Sequence, residues 1–424
     1  MKKLLTSLLA ILMVLSLTAC KKPEEKATVT IWHSYTEGQK EYLEKAVADF
    51  NASQETYTVV AESQPKDGLA DKIYQAVMAG NGPDMYFDYA STAANYVADD
   101  KVVDLSKYLS KEIIAQLPAA VYDEATSFAD GKLHHLPMVS SGPVFFYNKS
   151  VFEQAGVSAP QTWAELVETC QKILDNADTI KAKDGSPLSS KLAGVFAIDS
   201  PTDVANALIY QTGNKMYDPA TKEIFFNTPE VAAQFQMIAD GFAKGLFTDV
   251  SGLNDGYCSS AFNQENIVCF IGSVAGLPYV GPGKGGPEYA FGIVPQGGKV
   301  EWAPAWNRGM MIFNYGDEAR IKAAAAFTEY FGSAEVNAGW CKAVNYPALY
   351  QWTKETDTYK EFVAANEIFE YLNADVAGAP SATDNSIIRA AMKDLMAGVQ
   401  GGTPVQECLD KAVKYIQDEL KANA

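Results

Sequence analysis

Arginine is scarce in this chain: Arg308, Arg320 and Arg389 are the full set among 424 residues, against a formal net charge of −18. A surface that grips polyphosphate needs planar, bidentate cations in number, and nucleic acid would meet a repulsive field here. Histidine is as rare. His33, His134 and His135 show no H-E-x-x-H pattern, and the adjacent pair would point to opposite faces of a strand, so no metal site is expected. The six cysteines include no C-x-x-C. With Cys20 set apart the other five are an odd number. Cys258 and Cys269 could bridge a hairpin, and buried free thiols fit equally well. Past the first twenty residues no stretch approaches 18 consecutive apolar residues, so no further spanning helix is expected. Catalytic motifs are missing too. G-x-S-x-G does not occur, and residues 281–286 (GPGKGG) match the letters of G-x-G-x-x-G but are crowded by Pro282 and Pro287 with no helix to follow. Acidic residues around 175–185 lack EF-hand spacing, and no carboxylate pair stands out as a glycosidase acid and base.

What is present is a folding chain with an address. Hydrophobic residues make up 48% and aromatics 11%, which excludes global disorder, and the length suits two to four ordinary domains. Met1-Lys2-Lys3 is a basic n-region, residues 4–17 are an apolar h-region, and Leu17-Thr18-Ala19-Cys20 resembles a bacterial lipobox. Residues 1–19 are therefore expected to be a lipoprotein signal peptide. Cys20 is the expected lipid attachment point and 20–26 a polar tether, giving an extracytoplasmic protein anchored to the bacterial membrane. Beyond it, strands at 28–32, 57–61 and 84–87 alternate with helices at 37–50 and 69–78, which points to an α/β domain with a largely parallel sheet. Further strands are expected at 144–147, 267–271, 290–294 and 309–313. Helix starts are marked by Thr162 and Thr403, each followed three residues later by Glu or Gln, and by Thr228-Pro229. Two consecutive helices are expected from about Asp384 onward, and no internal repeat is visible.

Several segments, in order, resemble the extracellular solute-binding proteins of ABC transporters, the group of maltose- and glycerol-phosphate-binding proteins. They are residues 28–34 (TVTIWHS), 80–87 (GNGPDMYF), Leu136-Pro137 with 144–149 (VFFYNK), 160–166 (PQTWAEL), 291–295 (FGIVP) and Asn345-Tyr346-Pro347. The resemblance implies a two-lobed clamshell of the type II periplasmic-binding-protein kind, each lobe a sheet flanked by helices and the hinge crossed several times. The first lobe would comprise 27–137 and 296–345, and the second 138–295 and 346–424.

It also implies which residues line the cleft: His33, Ser34, Tyr35 and Glu37 after the first strand, Asp88, Tyr89 and Ser91 after the third, and Ser141 past the first crossover. Asp199, Trp306, Asn307, Arg308 and Tyr346 follow, with Asp384, Asn385 and Arg389 at the start of the penultimate helix. Aromatic rings would cover sugar C–H faces while Asp, Asn and Arg bond hydroxyls. Ser381 stands where glycerol-phosphate binders would carry a phosphate-gripping arginine, so an uncharged mono- or oligosaccharide is expected. The partners implied are that carbohydrate and two permease subunits. No cofactor, metal or catalytic residue is implied, and the protein is expected to be a monomer. The same fold binding glycerol phosphate, a glycerophosphodiester or another metabolite is the alternative, and a surface-anchored carbohydrate-active enzyme is the rival of another class.

Overall fold

The computed structural model describes residues 26–424 apart from 129, 219–220, 222, 252, 254–255, 373–385 and 423–424. The signal peptide, Cys20 and most of the tether lie outside the described residues, as do Ser381, Asp384 and Asn385. Among the described residues ten strands form, β1 (Ala27–His33), β2 (Tyr57–Ser63), β3 (Met85–Tyr89), β4 (Leu136–Ser141) and β5 (Pro143–Asn148) in the first half. The others are β6 (Phe196–Ile198), β7 (Phe247–Thr248), β8 (Cys269–Ser273), β9 (Tyr289–Gly292) and β10 (Trp306–Ile312). They make two five-stranded sheets, ordered β2-β1-β3-β10-β4 and β7-β6-β8-β5-β9. In the first, β1 runs parallel to β2 and β3, and β10 is antiparallel to both β3 and β4. In the second, β6 is parallel to β7 and β8 while β5 is antiparallel to β8 and β9.

The helices between strands follow from their apolar spacing. Glu37–Ser53 buries Leu43, Ala46, Val47 and Phe50, a stripe one helical face wide. Thr162 closes a full capping box with Glu165 at the start of Trp163–Asp175, and Thr228 caps Pro229–Ala243 through the Val231 N–H. Thr403 does not act as expected. The last helix runs Val405–Ala422, and its first turn closes on the Pro404 carbonyl, which places Thr403 one residue too early to cap. The five described cysteines are all buried free thiols, so Cys258 and Cys269 are not bridged. The letters 281–286 fold through a short 3-10 turn that leads into β9 rather than into a helix.

Strand β5 shows how the two cores meet. Val144 and Phe146 face the core that holds Val29, Phe87, Phe331 and Trp340, whereas Phe145 faces the one that holds Trp163, Phe196, Phe235 and Met392. The period of two along a strand therefore serves two cores from one segment.

The chain crosses between lobes at places other than those expected. Gly142 alone separates β4 from β5, and a Cβ there would meet the Pro304 carbonyl at 2.8 Å, so the first and second crossings touch. Residues 295–302 stay on the second lobe because buried Gln211 donates to the Pro295 and Trp302 carbonyls at 3.0 and 2.9 Å, while accepting from the Trp163 indole at 2.8 Å. The second crossing thus falls near 303–305, not at 296. Past Tyr346, the helices Gln351–Lys354 and Asp357–Ala364 pack on Ala334–Val344, and Ala348, Leu349, Tyr350 and Phe362 are buried with Trp340. That stretch stays with the first lobe, contrary to a limit at 346. The chain returns with Glu367–Tyr371, whose Tyr371 ring meets Phe291 of β9 at 6.2 Å, and Ser386–Gln400 and Val405–Ala422 then pack on the second lobe.

Two local constraints set the middle of the first sheet. The β10–β4 register shifts between Arg308 and Gly309, and a Cβ on Gly309 would lie 1.8 Å from the Leu136 carbonyl oxygen. Beside it, fully buried His135 donates from Nε2 to the Asp88 carbonyl at 2.8 Å, and burial holds its pKa down at about 4 against 6.5.

Gly309→Ala is expected to cost about 3 kcal/mol by forcing β10 off β4, read as a lowered urea midpoint at an unchanged slope. Below pH 6.5 the unfolded chain takes up a proton at position 135 that the folded chain refuses until about pH 4. The stability this group supplies is complete above pH 6.5 and lost as the pH falls to about 4, on the order of 3 kcal/mol. Urea unfolding at neutral and acidic pH should show a smaller loss in His135→Gln than in the parent; equal losses would contradict the assignment.

Candidate functional site

Parallel strands deliver their C-terminal ends, and the loops after them, to one edge of a sheet. In the first lobe this edge holds the end of β1 and of β3. His33 is buried at the end of β1, its Nδ1 accepts from the Tyr35 N–H at 3.2 Å, and the two rings stack 5.5 Å apart. Burial lowers the His33 pKa, so the ring is neutral with the proton on Nε2. Tyr35 packs edge-on against Trp340 at 5.1 Å, and burial pushes its phenol up to about 12.

At the end of β3, Asp88 and Tyr89 stand opposite Gly309 and Arg308 of β10. The Arg308 guanidinium sits 3.6 Å from the Asp88 carboxylate and 5.1 Å from the centre of the Tyr89 ring. Burial raises the Asp88 pKa, with Arg308 and the Thr92 hydroxyl working against that shift. Burial also pushes Tyr89 up to about 12. Tyr346 lies close enough to act electrostatically on Tyr35, Tyr89 and Arg308.

The lobes meet at Trp306, the first residue of β10. Its indole N–H donates to Asp203 of the second lobe at 2.8 Å. The Arg389 guanidinium, also of the second lobe, lies 4.5 Å from the ring centre, and Tyr89 of the first lobe meets the ring edge-on at 5.9 Å. A crevice opens beside this contact, with about 360 Å³ of atom-free space, open solvent included. Its first-lobe wall is Tyr89, Ser91, Glu124, Trp306 and Asn307, and Asn206 and Trp302 line it from the second. Asn307 is buried and donates from Nδ2 to the Glu124 carboxylate. Trp302 is held in place by a stack on Tyr210 at 4.7 Å and by the Gln211 bond to its carbonyl. A second, smaller crevice of about 290 Å³ lies at the hinge between Ser140, Ser141, Pro304, Pro347 and Tyr371, where the Ser141 and Ser273 hydroxyls approach to 3.4 Å across the lobes.

The expected site residues therefore divide. Tyr89, Ser91, Trp306 and Asn307 line the main crevice, and Arg308, Arg389, Asp88, Tyr35, His33 and Tyr346 form the cluster around it. Ser141 belongs to the hinge crevice. Glu37 stands apart: it is exposed at the start of its helix with a left-handed φ of 47°. Asp199 is occupied otherwise, its carboxylate accepting from the Cys258 N–H at 3.3 Å at the start of helix Cys258–Asn263. Four lining or bridging residues were not expected, Glu124, Asp203, Asn206 and Trp302. For Asp203 and Asn206 a signal existed. They recur at i and i+3 in helix Pro201–Tyr210, whose residues 203–209 are otherwise apolar, and both are buried.

No group of described His, Cys, Asp and Glu residues could hold a metal ion. A family model described as bacterial extracellular solute-binding protein matches residues 45–370. The sn-glycerol-3-phosphate-binding periplasmic protein of Rhizobium meliloti (strain 1021) is 25% identical over 355 residues, 78% of each chain. That of Yersinia pestis is 24% identical over 375 residues, 83% of this chain and 82% of the other. Among solved structures, the cyclic alpha-maltosyl-1,6-maltose binding protein of Arthrobacter globiformis matches with a TM-score of 0.78 at 20% identity, over 94% of this chain and all of that one. The GacH receptor of Streptomyces glaucescens matches at 0.71 and 17%, over 94% and 98%. The fold is thus the maltose-binding-protein-like type II clamshell, and the chain belongs to the bacterial extracellular solute-binding proteins.

Proposed function

We propose that this protein is a monomeric, non-catalytic receptor, tethered to the membrane through lipidated Cys20, that binds a mono- or oligosaccharide between its lobes for delivery to an ABC permease. Family membership places it outside the cytoplasm as the solute-binding component of an importer. The observation that carries the carbohydrate reading is Trp306, an indole lining the crevice and held at the same time from both lobes by Tyr89, Asp203 and Arg389. A flat aromatic face beside buried carboxylate and amide groups suits a ring with apolar C–H faces and an equatorial belt of hydroxyls. A ligand seated there touches residues of both lobes, which is what shifts an open–closed equilibrium toward closure.

A glycerol-phosphate ligand is the second reading, favoured by the relatives of that name and by two cations beside the crevice, Arg308 and Arg389. Against it, Arg308 already faces Asp88 at 3.6 Å, and Glu124 puts a carboxylate in the crevice wall. A thermal-shift panel of sugars, polyols and glycerol phosphate separates the two, because a ligand of the folded form raises the melting temperature by mass action. A shift by glycerol phosphate alone overturns the sugar reading.

Trp306→Ala is expected to weaken binding of the sugar found in that panel by about thirtyfold, about 2 kcal/mol, in isothermal titration calorimetry. Oligosaccharides incubated with the purified protein should be recovered intact, and cleavage products would overturn the receptor reading.

A further inference from the structure

Residues 297–305 form neither helix nor strand, yet they carry the chain from the second lobe to Trp306. Backbone groups in such a segment have no ladder to join and must find partners elsewhere. One helix of the second lobe, Pro201–Tyr210 with Gln211 at its C-cap, meets this segment along its length. Positions 203, 206, 210 and 211 recur at i, i+3, i+7 and i+8, which is one helical face. Asp203 accepts from the Trp306 indole at 2.8 Å, Asn206 lines the crevice, and the Tyr210 ring stacks on Trp302 at 4.7 Å. Gln211 does the most. Its backbone carbonyl accepts from the Val300 N–H at 3.0 Å, and its Nε2 donates to the Pro295 and Trp302 carbonyls at 3.0 and 2.9 Å. Its Oε1 accepts from the Trp163 indole at 2.8 Å. An indole N–H only donates and a carbonyl only accepts, so these bonds settle which way the amide points. The N–H of Trp302 adds a further tie, donating to Gln296 Oε1 at 2.9 Å.

Resting on the reading of this crevice as the ligand site, we propose that Trp302 is a ligand contact of the second lobe and that Gln211 is its positioning residue. Trp302 is half-buried, packed against the second-lobe core and part of the crevice wall. Gln211 is 1% exposed and stands outside that wall, so its effect on a ligand passes through the backbone of residue 302 and the indole it carries. The division of labour follows from the chemistry. Asn and Gln alone carry two N–H donors and an acceptor on one neutral planar group, which is what two carbonyls and an indole N–H require. Methionine at 211 has a similar length but bonds none of the three, and it leaves residue 302 without its anchor. Pro304 and Ala305 line the same crevice between the two indoles, so one strap presents Trp302 from the second lobe and Trp306 from the first.

The test is a double-mutant cycle read by isothermal titration calorimetry, with maltose, maltotriose, cellobiose and glycerol phosphate as probes. The probe that the unaltered protein binds most tightly is carried through the cycle. Gln211→Met and Trp302→Ala should each weaken it by about tenfold or more, and the double variant should bind within about twofold of Trp302→Ala alone. Trp302→Phe, which keeps an aromatic ring, should recover most of the loss. A role for Gln211 in the fold at large would instead give effects that multiply. Each variant is checked for a cooperative melting transition. Gln211→Asn, whose amide falls one methylene short of its partners, replaces Gln211→Met in the cycle if the latter does not fold. The inference fails, and the carbohydrate reading stands, if a sugar binds while Trp302→Ala or the Gln211 variant matches the parent, or while the two effects multiply. If glycerol phosphate binds and no sugar does, the carbohydrate reading fails. A coupled cycle on glycerol phosphate then upholds the roles of Gln211 and Trp302, and multiplying effects overturn them. Binding of no probe overturns both.

Discussion

One indole organises the functional half of this molecule. Trp306 begins β10, the antiparallel strand inserted between β3 and β4, and its ring reaches the second lobe through Asp203 and Arg389 while touching Tyr89 of the first. A hydrogen bond and a cation–π contact across an interface are each worth little against the entropy of two moving bodies. They matter because they lie beside the crevice proposed to take the ligand, so in that reading closure and binding would draw on the same side chain. Successive residues 306, 307 and 308 serve the lobe contact, the crevice wall and the Asp88 pair, just ahead of the register shift between Arg308 and Gly309.

The hinge depends on close approach rather than on flexible sequence. Gly142 has room only because it lacks a Cβ, with Pro304 of the second crossing against it and Leu372 beside it. Three passages of chain are bundled at one place, an arrangement that suits a hinge between two lobes. Gln211 supports the arrangement from the second lobe. Its one side chain satisfies two carbonyls of the approaching segment and one indole N–H, and so delivers Trp302 to the crevice.

Charge is handled in two ways within a few residues. Around Arg308 an acid, a cation and phenols are packed together, and burial raises the Asp88, Tyr35 and Tyr89 pKa values while keeping the group near neutrality as a whole. In the crevice itself the Glu124 carboxylate accepts from the Asn307 amide.

Much was legible from the chain alone. Strand and helix order and the capping box at Thr162 follow from local patterns, because alternation, helical spacing and cap chemistry act over a few residues, whereas the two-lobed fold and the cleft loop at 306–308 were implied only by the resemblance to solute-binding proteins. The resemblance marked Arg308 and Arg389 as cleft residues, and both lie beside the crevice, Arg308 against Tyr89 and Arg389 over Trp306. Thr403 failed as a cap by a single residue, a margin that local patterns do not resolve. The crossings near 303–305 and 365–372 were beyond sequence reasoning, since they depend on Gln211 and on Trp340 meeting partners remote in the chain. Glu124 was hidden for the same reason, and Asp203 and Asn206 showed in the sequence only as polar residues three apart in an otherwise apolar stretch. A buried acid or amide on a helix declares its role only when the opposing lobe shows what it faces, and that pairing is a property of tertiary packing, not of any window of residues.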